Sequence, residues 1–131
     1  GLALACAGLV PETYKVQVAY PFLSDYRKAY QYGPTTAFGE LSYWFHYRDP
    51  LHKKEKDLFN LLDYIDVKFF ADKIKAQVLW EMGGSDKQVP PETQMAAFNR
   101  ITSKKKIYLA PEYGHEFIPR LGDEIRDFFF K

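Results

Sequence analysis

The spacing of apolar and polar positions changes several times along this chain, and each change marks an element. Residues 1–9 run Gly-Leu-Ala-Leu-Ala-Cys-Ala-Gly-Leu, small and apolar without a charge, which reads as a buried helix. Tyr14 to Tyr20 alternates with a period of two and stops at Pro21, the pattern of a strand. Residues from about 24 to 62 read as helices broken by turns. Ser24 or Asp25 can cap the first and Gly33-Pro34 ends it. Thr36 can cap a second towards Tyr47 that Asp49-Pro50 interrupts, and a third spans roughly His52 to Leu62. Asp66 to Ile74 predicts a short helix with Val67, Phe70 and Ile74 on one face. Ala76 to Met82 is a mostly apolar run, as in a parallel strand covered on both faces. A helix from Pro91 to Ile101, a strand over Lys106 to Leu109 and a closing helix from Ile118 or Arg120 to Phe130 complete the series. Strand alternating with helix predicts an α/β fold, a parallel sheet flanked by helices, with residues 24–62 as a helical insertion between two strands.

Composition narrows the classes. A chain of 131 residues with 47% hydrophobic content is one domain with a real core. A formal net charge of +1 argues against nucleic acid as a partner, and Lys104-Lys105-Lys106 reads as a solvated helix-to-strand turn. The single cysteine, Cys6, allows no internal disulfide or metal cluster and fits a reducing compartment. No apolar stretch has the length of a membrane span, so no membrane partner is expected. No metal or cofactor is expected either, since neither an H-x-x-x-H nor an H-E-x-x-H spacing occurs.

Candidate chemistry lies at the ends of the two later strands. Gly83-Gly84-Ser85-Asp86-Lys87-Gln88-Val89-Pro90-Pro91 follows one of them and Tyr113-Gly114-His115-Glu116 the other, with His115 lying 29 positions after Asp86. An acid past the carboxyl end of a strand is where doubly wound sheets place their ligands. A carboxylate there can accept the Nδ1 proton of a histidine and stabilise its imidazolium, and a loop histidine beside a glycine suits a general base. Taken singly, Asp86 could equally cap a turn and His115 could be a surface residue. Together they form the acid and histidine of an α/β-hydrolase triad, which follow the nucleophile along the chain.

No nucleophile elbow is present. Of Ser24, Ser42, Ser85 and Ser103, only Ser85 follows glycines, and Gly83-Gly84-Ser85-Asp86-Lys87 lacks the closing one and already holds the acid. The opening run instead suits the helix that follows an elbow, with Gly1 as its last glycine. The expectation is a C-terminal piece of an enzyme, a partial domain over residues 1–131 lacking the N-terminal half with the nucleophile. His46, amid Trp44, Phe45 and Tyr47, reads as packing or surface, and His52, after Asp49-Pro50, as a turn or subunit contact.

Several longer stretches go further. Residues 1–7, Tyr20-Pro21-Phe22-Leu23-Ser24-Asp25-Tyr26-Arg27, Phe45-His46-Tyr47-Arg48-Asp49-Pro50, Tyr64-Ile65-Asp66-Val67-Lys68 and the two acid and histidine segments resemble carbohydrate esterase family 7, the acetyl xylan esterase and cephalosporin C deacetylase group. The D-x-x-V-P-P and G-H-E pieces recur in many α/β hydrolases, whereas Y-P-F-L-S-D-Y and Y-I-D-V-K are specific. The resemblance runs end to end and corresponds to roughly the C-terminal two-fifths of such an enzyme. It implies an α/β-hydrolase fold without cofactor and a cytoplasmic serine esterase that removes acetyl groups from small acetylated sugars or from the acetoxymethyl arm of a cephalosporin. It further implies a homo-oligomer, a hexamer in the full-length family, with Asp86 and His115 completing the triad and Pro21 and Phe22 forming acyl-pocket wall. Pro21 and Phe22 read equally well as a strand-ending turn and a core aromatic.

In the family the Ser nucleophile and the Gln and Tyr of the oxyanion hole lie upstream, so the chain alone is expected to be inactive. Two other readings stand beside this one: part of another serine α/β hydrolase, such as a prolyl-oligopeptidase-like peptidase, or a non-catalytic binding fragment.

Overall fold

A computed structural model describes all residues from Gly1 to Lys131. Helix α1 (Leu2–Leu9) leads into strand β1 (Lys15–Ala19). Three helices follow, α2 (Tyr26–Gln31), α3 (Gly39–Arg48) and α4 (Glu55–Asp63). Strand β2 (Gln77–Gly83), helix α5 (Pro91–Phe98), strand β3 (Lys105–Ala110) and helix α6 (Leu121–Phe130) complete the chain. The strands form one parallel sheet in the order β1-β2-β3, with Val18 opposite Trp80 and Trp80 opposite Ile107. The sheet is therefore α/β, as its apolar runs predict, and the central strand β2 is buried from Val78 onward.

One face of the sheet carries the main core. Val16 and Val18, then Val78, Trp80 and Met82, pack with Leu4 and Ala7 of α1 and Ala97 of α5. Trp80 is fully buried; its indole N–H donates to Gln94 Oε1 (3.3 Å), and the Gln94 amide donates to the Val89 carbonyl (2.8 Å). This satisfies the polar end of a large aromatic in the core and fixes α5 against the loop that follows β2.

The insertion has a separate core of Tyr26, Ala29, Phe38, Phe45 and Phe59. Its ends are joined by Asp66, wholly buried, which accepts from the backbone N–H groups of Asp25 (3.0 Å), Tyr26 (3.2 Å) and Lys68 (3.0 Å). Lys68 Nζ in turn donates to Asp25 Oδ1 (2.7 Å). The start of α2 is thus capped by a carboxylate distant in sequence; the Asp25 side chain makes no capping bond of its own, and Ser24 Oγ donates to the Thr93 carbonyl of α5 (2.8 Å). Thr36 Oγ1 accepts from Phe38 N (3.2 Å) and so shapes the turn before α3.

The single helix expected over Asp66 to Ile74 is instead two short 3-10 turns, Val67–Phe69 and Ala71–Lys73. Asp66 caps the first through Lys68 N and, by holding residues 25 and 26 as well, draws the segment tight against the sheet, where a regular helix gives way to i→i+3 bonding.

Candidate active site

The sheet brings the ends of β2 and β3 side by side, with Gly83 opposite Ala110. Gly84 N donates to the Ala110 carbonyl (2.9 Å), Ser85 N to Tyr113 (2.9 Å) and Ser85 Oγ to Pro111 (3.0 Å). These bonds fasten the acid loop to the histidine loop. The close approach needs glycine: a Cβ on Gly83 would overlap the carbonyl oxygens of Gly114 and Tyr113.

Asp86, 3% exposed, points back into this junction. Its Oδ1 accepts from Gln88 N (2.8 Å) and Val89 N (2.9 Å), and its Oδ2 pairs with His115 Nδ1 (2.9 Å). An ionised carboxylate can only accept, so the proton of a neutral imidazole sits on Nδ1 and the Nε2 lone pair is free. The His115 side chain is 35% exposed, so a group outside the pair can reach Nε2. The two sequence readings of Asp86 are compatible, because Oδ1 shapes the loop while Oδ2 holds the ring.

A third side chain joins them. The ring of Tyr20, the residue directly after β1, lies 4.7 Å from the imidazole, and its hydroxyl donates to the Glu116 carbonyl. Burial pushes the Tyr20 phenol up to about 12, helped by the neighbouring Glu81 carboxylate. Burial likewise raises Glu81 above the usual carboxylate range, against the opposing effect of Tyr20. The sequence gives no sign of this contact, since Tyr20 and Glu116 are 96 positions apart.

The remaining candidates make other contacts. Pro21 is buried, and Phe22 packs its ring on Phe38 of the insertion at 4.9 Å. Neither lines the cleft of about 250 Å³ beside Asp86, which is formed by Tyr32, Thr35, Thr36, Lys87, Pro90 and Pro91. The insertion reaches that cleft through a bond from Ala37 N to the Gln88 carbonyl (2.8 Å). His52 stacks on Phe45 at 4.2 Å and pairs with Glu55 (2.9 Å), whereas His46 is exposed against Tyr47.

Among the serines, Ser24, Ser85 and Ser103 each donate to a backbone carbonyl, of Thr93, Pro111 and Ala76, and Ser42 lies on α3. None is bonded to His115. No group of three His, Cys, Asp or Glu side chains is placed to hold a metal, and no helix is long and apolar enough to cross a membrane.

A buried carboxylate past one parallel strand, hydrogen-bonded to a loop histidine past the next, on a sheet flanked by helices, defines the class as α/β hydrolase. Within that class the chain belongs to the acetyl xylan esterase (AXE1) family, whose profile matches residues 1–131. Acetyl xylan esterase 1 of a Thermoanaerobacterium species superposes with a TM-score of 0.91 at 43% identity, covering 97% of this chain and 40% of that one. An acetyl xylan esterase of a Paenibacillus species gives 0.93 at 32% identity with the same coverages, 97% and 40%. An esterase of Pyrococcus furiosus, 16% identical, shares the fold at 0.54, with 96% of this chain and 46% of that one covered. The chain thus spans about two-fifths of the length of both acetyl xylan esterases. The family match sets aside the peptidase reading.

Proposed function

We propose that this chain supplies the acid and the general base of a serine acetyl esterase, with Asp86 orienting His115 and the nucleophile and oxyanion hole contributed by the rest of the esterase domain. The observation that carries this reading is the 2.9 Å bond from His115 Nδ1 to a carboxylate whose other oxygen is already fixed by two backbone N–H groups. In the proposed reaction His115 Nε2 takes the proton of a serine hydroxyl as its oxygen attacks the acetyl carbonyl. The imidazolium, stabilised by Asp86, returns that proton to the departing sugar oxygen and leaves an acetyl-enzyme. Water then attacks the acyl carbonyl, again giving its proton to His115, which passes it to the serine oxygen as acetate is released.

Membership of the acetyl xylan esterase family supports acetylated substrates. We further assign acetylated xylo-oligosaccharides and the acetoxymethyl ester of cephalosporins as the substrate class, and a cytoplasmic homo-oligomer, hexameric in the full-length family, as the working form. Pro21 and Phe22 are assigned to the acyl-pocket wall on the resemblance of Tyr20–Arg27.

The test is hydrolysis of p-nitrophenyl acetate by this chain alone and after joining the elbow-bearing N-terminal part of a family member. Activity is expected only in the joined form and is abolished by His115→Ala. Turnover by the chain alone would refute the assignment of the nucleophile to another segment, and Ser85 and Ser24 would be the residues to replace.

A further inference from the structure

We propose that Tyr20 is a positioning residue for His115, fastening the backbone of the histidine loop through its hydroxyl and bracing the imidazole with its ring. The inference builds on the assignment of His115 as the base. Residues 115–117 lie midway along the loop between β3 and α6, and apart from the Asp86–His115 pair the bonds securing that loop to the acid loop end at Tyr113. Gly114 N turns inward to Glu116 Oε1 (3.1 Å), a bond within the loop itself. Beyond Gly114, the main chain of residues 115–117 has one hydrogen bond to another element, the one that the Tyr20 hydroxyl donates to the Glu116 carbonyl. Asp86 grips a single ring nitrogen and leaves the imidazole free to swing about that bond; the Tyr20 ring at 4.7 Å closes one side of the swing.

Tyr20 is itself held firmly. Its N–H donates to the Glu81 carbonyl (3.0 Å), one step past the last register pair of β1 and β2, Ala19 with Glu81. Its φ of 45° lies in the left-handed region, a conformation a bulky residue adopts only when its surroundings impose it. There it turns the ring out of the strand's alternation and towards the histidine loop. The hydroxyl lies beside the buried carboxyl of Glu81. The backbone bond to Glu81 and the hydroxyl bond to the Glu116 carbonyl thus make Tyr20 a link from the central strand to the loop that carries the base.

The test uses the full-length esterase and p-nitrophenyl acetate. Tyr20→Phe keeps the ring and removes the hydroxyl. It is expected to lower kcat about tenfold, the loss of one positioning hydrogen bond, with KM unchanged. The low-field proton resonance of the His115 Nδ1–H bond to Asp86 is expected to broaden, while the protein still melts cooperatively. A wild-type kcat with an unaltered resonance in Tyr20→Phe would overturn the proposal. Were Tyr20→Phe not to fold, Tyr20→His, which keeps a ring but places no hydroxyl at the Glu116 carbonyl, would be read in the same two ways, with the same result overturning it. His115→Ala is run in parallel; if that variant kept its activity, the assignment of the base would fail, whatever Tyr20→Phe showed.

Discussion

Asp86 has two tasks on its two oxygens, and they separate by substitution. Asp86→Asn keeps an acceptor for Gln88 N and Val89 N but can present an N–H to the imidazole, which forces the proton to Nε2 and leaves no lone pair for the base. In the joined enzyme kcat is expected to fall by about 10⁴, the loss known for the equivalent change in a serine-protease triad, with KM near wild type. A loss below about tenfold would reduce Asp86 to a loop-shaping residue.

A second residue-scale prediction concerns Tyr26. Burial, reinforced by the charge of Asp66, raises its phenol from 10.0 to about 12. Between those values the folded chain holds a proton that the unfolded chain has lost, so its contribution is complete below pH 10.0 and disappears as pH rises towards 12. Melting temperature measured against pH is expected to decline through that window, and Tyr26→Phe to flatten the decline; equal slopes in both proteins would contradict the assignment. The pair Asp86 and His115 is legible in the sequence because each stands in a short motif just past an apolar run. Tyr20 is not, since its role depends on a positive φ and on a partner in the last loop of the chain.

At the scale of elements, the strands announce themselves through apolar runs bounded by Pro or Gly, and β2 is the clearest because it is covered on both faces. The stretch 66–74 misleads for the same reason that the others inform. Val67, Phe70 and Ile74 have helical spacing, but the conformation is set by Asp66, whose partners Asp25 and Tyr26 lie about 40 positions away. Because Asp66 caps α2 and the first 3-10 turn together, Asp66→Ala would leave three backbone donors unpaired and the ends of the insertion untied. A stability loss of about 3 kcal/mol follows from removing hydrogen bonds to a buried charge, to be read from the urea midpoint of the joined protein. A shift under about 0.5 kcal/mol, as at an ordinary surface site, would show that the insertion is secured elsewhere.

Gly83 gives the matching prediction for the site. In Gly83→Ala the added methyl meets the Gly114 and Tyr113 carbonyls, so the histidine loop must lift, and activity should fall far more than thermal stability.

For the molecule as a whole, the two outer strands of the sheet differ. β3 opens with Lys105 and Lys106, preceded by Lys104; the turn lysines that say nothing about nucleic acid are the kind of charge that keeps an edge from pairing. β1 carries only Lys15, followed by Val16, Gln17, Val18 and Ala19. Beside it α1 buries Leu4 and Ala7 but leaves Leu2 and Leu9 exposed at 78% and 63%, and Tyr14 follows at 72%. A strand edge whose one charge stands at its first residue, next to exposed apolar side chains, is a template for another strand. Under the proposed reading that strand comes from the part of the esterase domain bearing the nucleophile, which would also bring the serine towards Nε2. One surface then governs both solubility and activity. This chain alone is expected to associate as its concentration rises, by size exclusion, and to become monodisperse when joined to the complementary part. Gln17→Lys, which adds a charge at that edge, should reduce self-association and at the same time weaken recovery of esterase activity when the two parts are mixed. Were the substitution to suppress only one of these, association and complementation would be using different surfaces. A chain that stays monomeric and melts cooperatively at every concentration would show that β1 needs no partner.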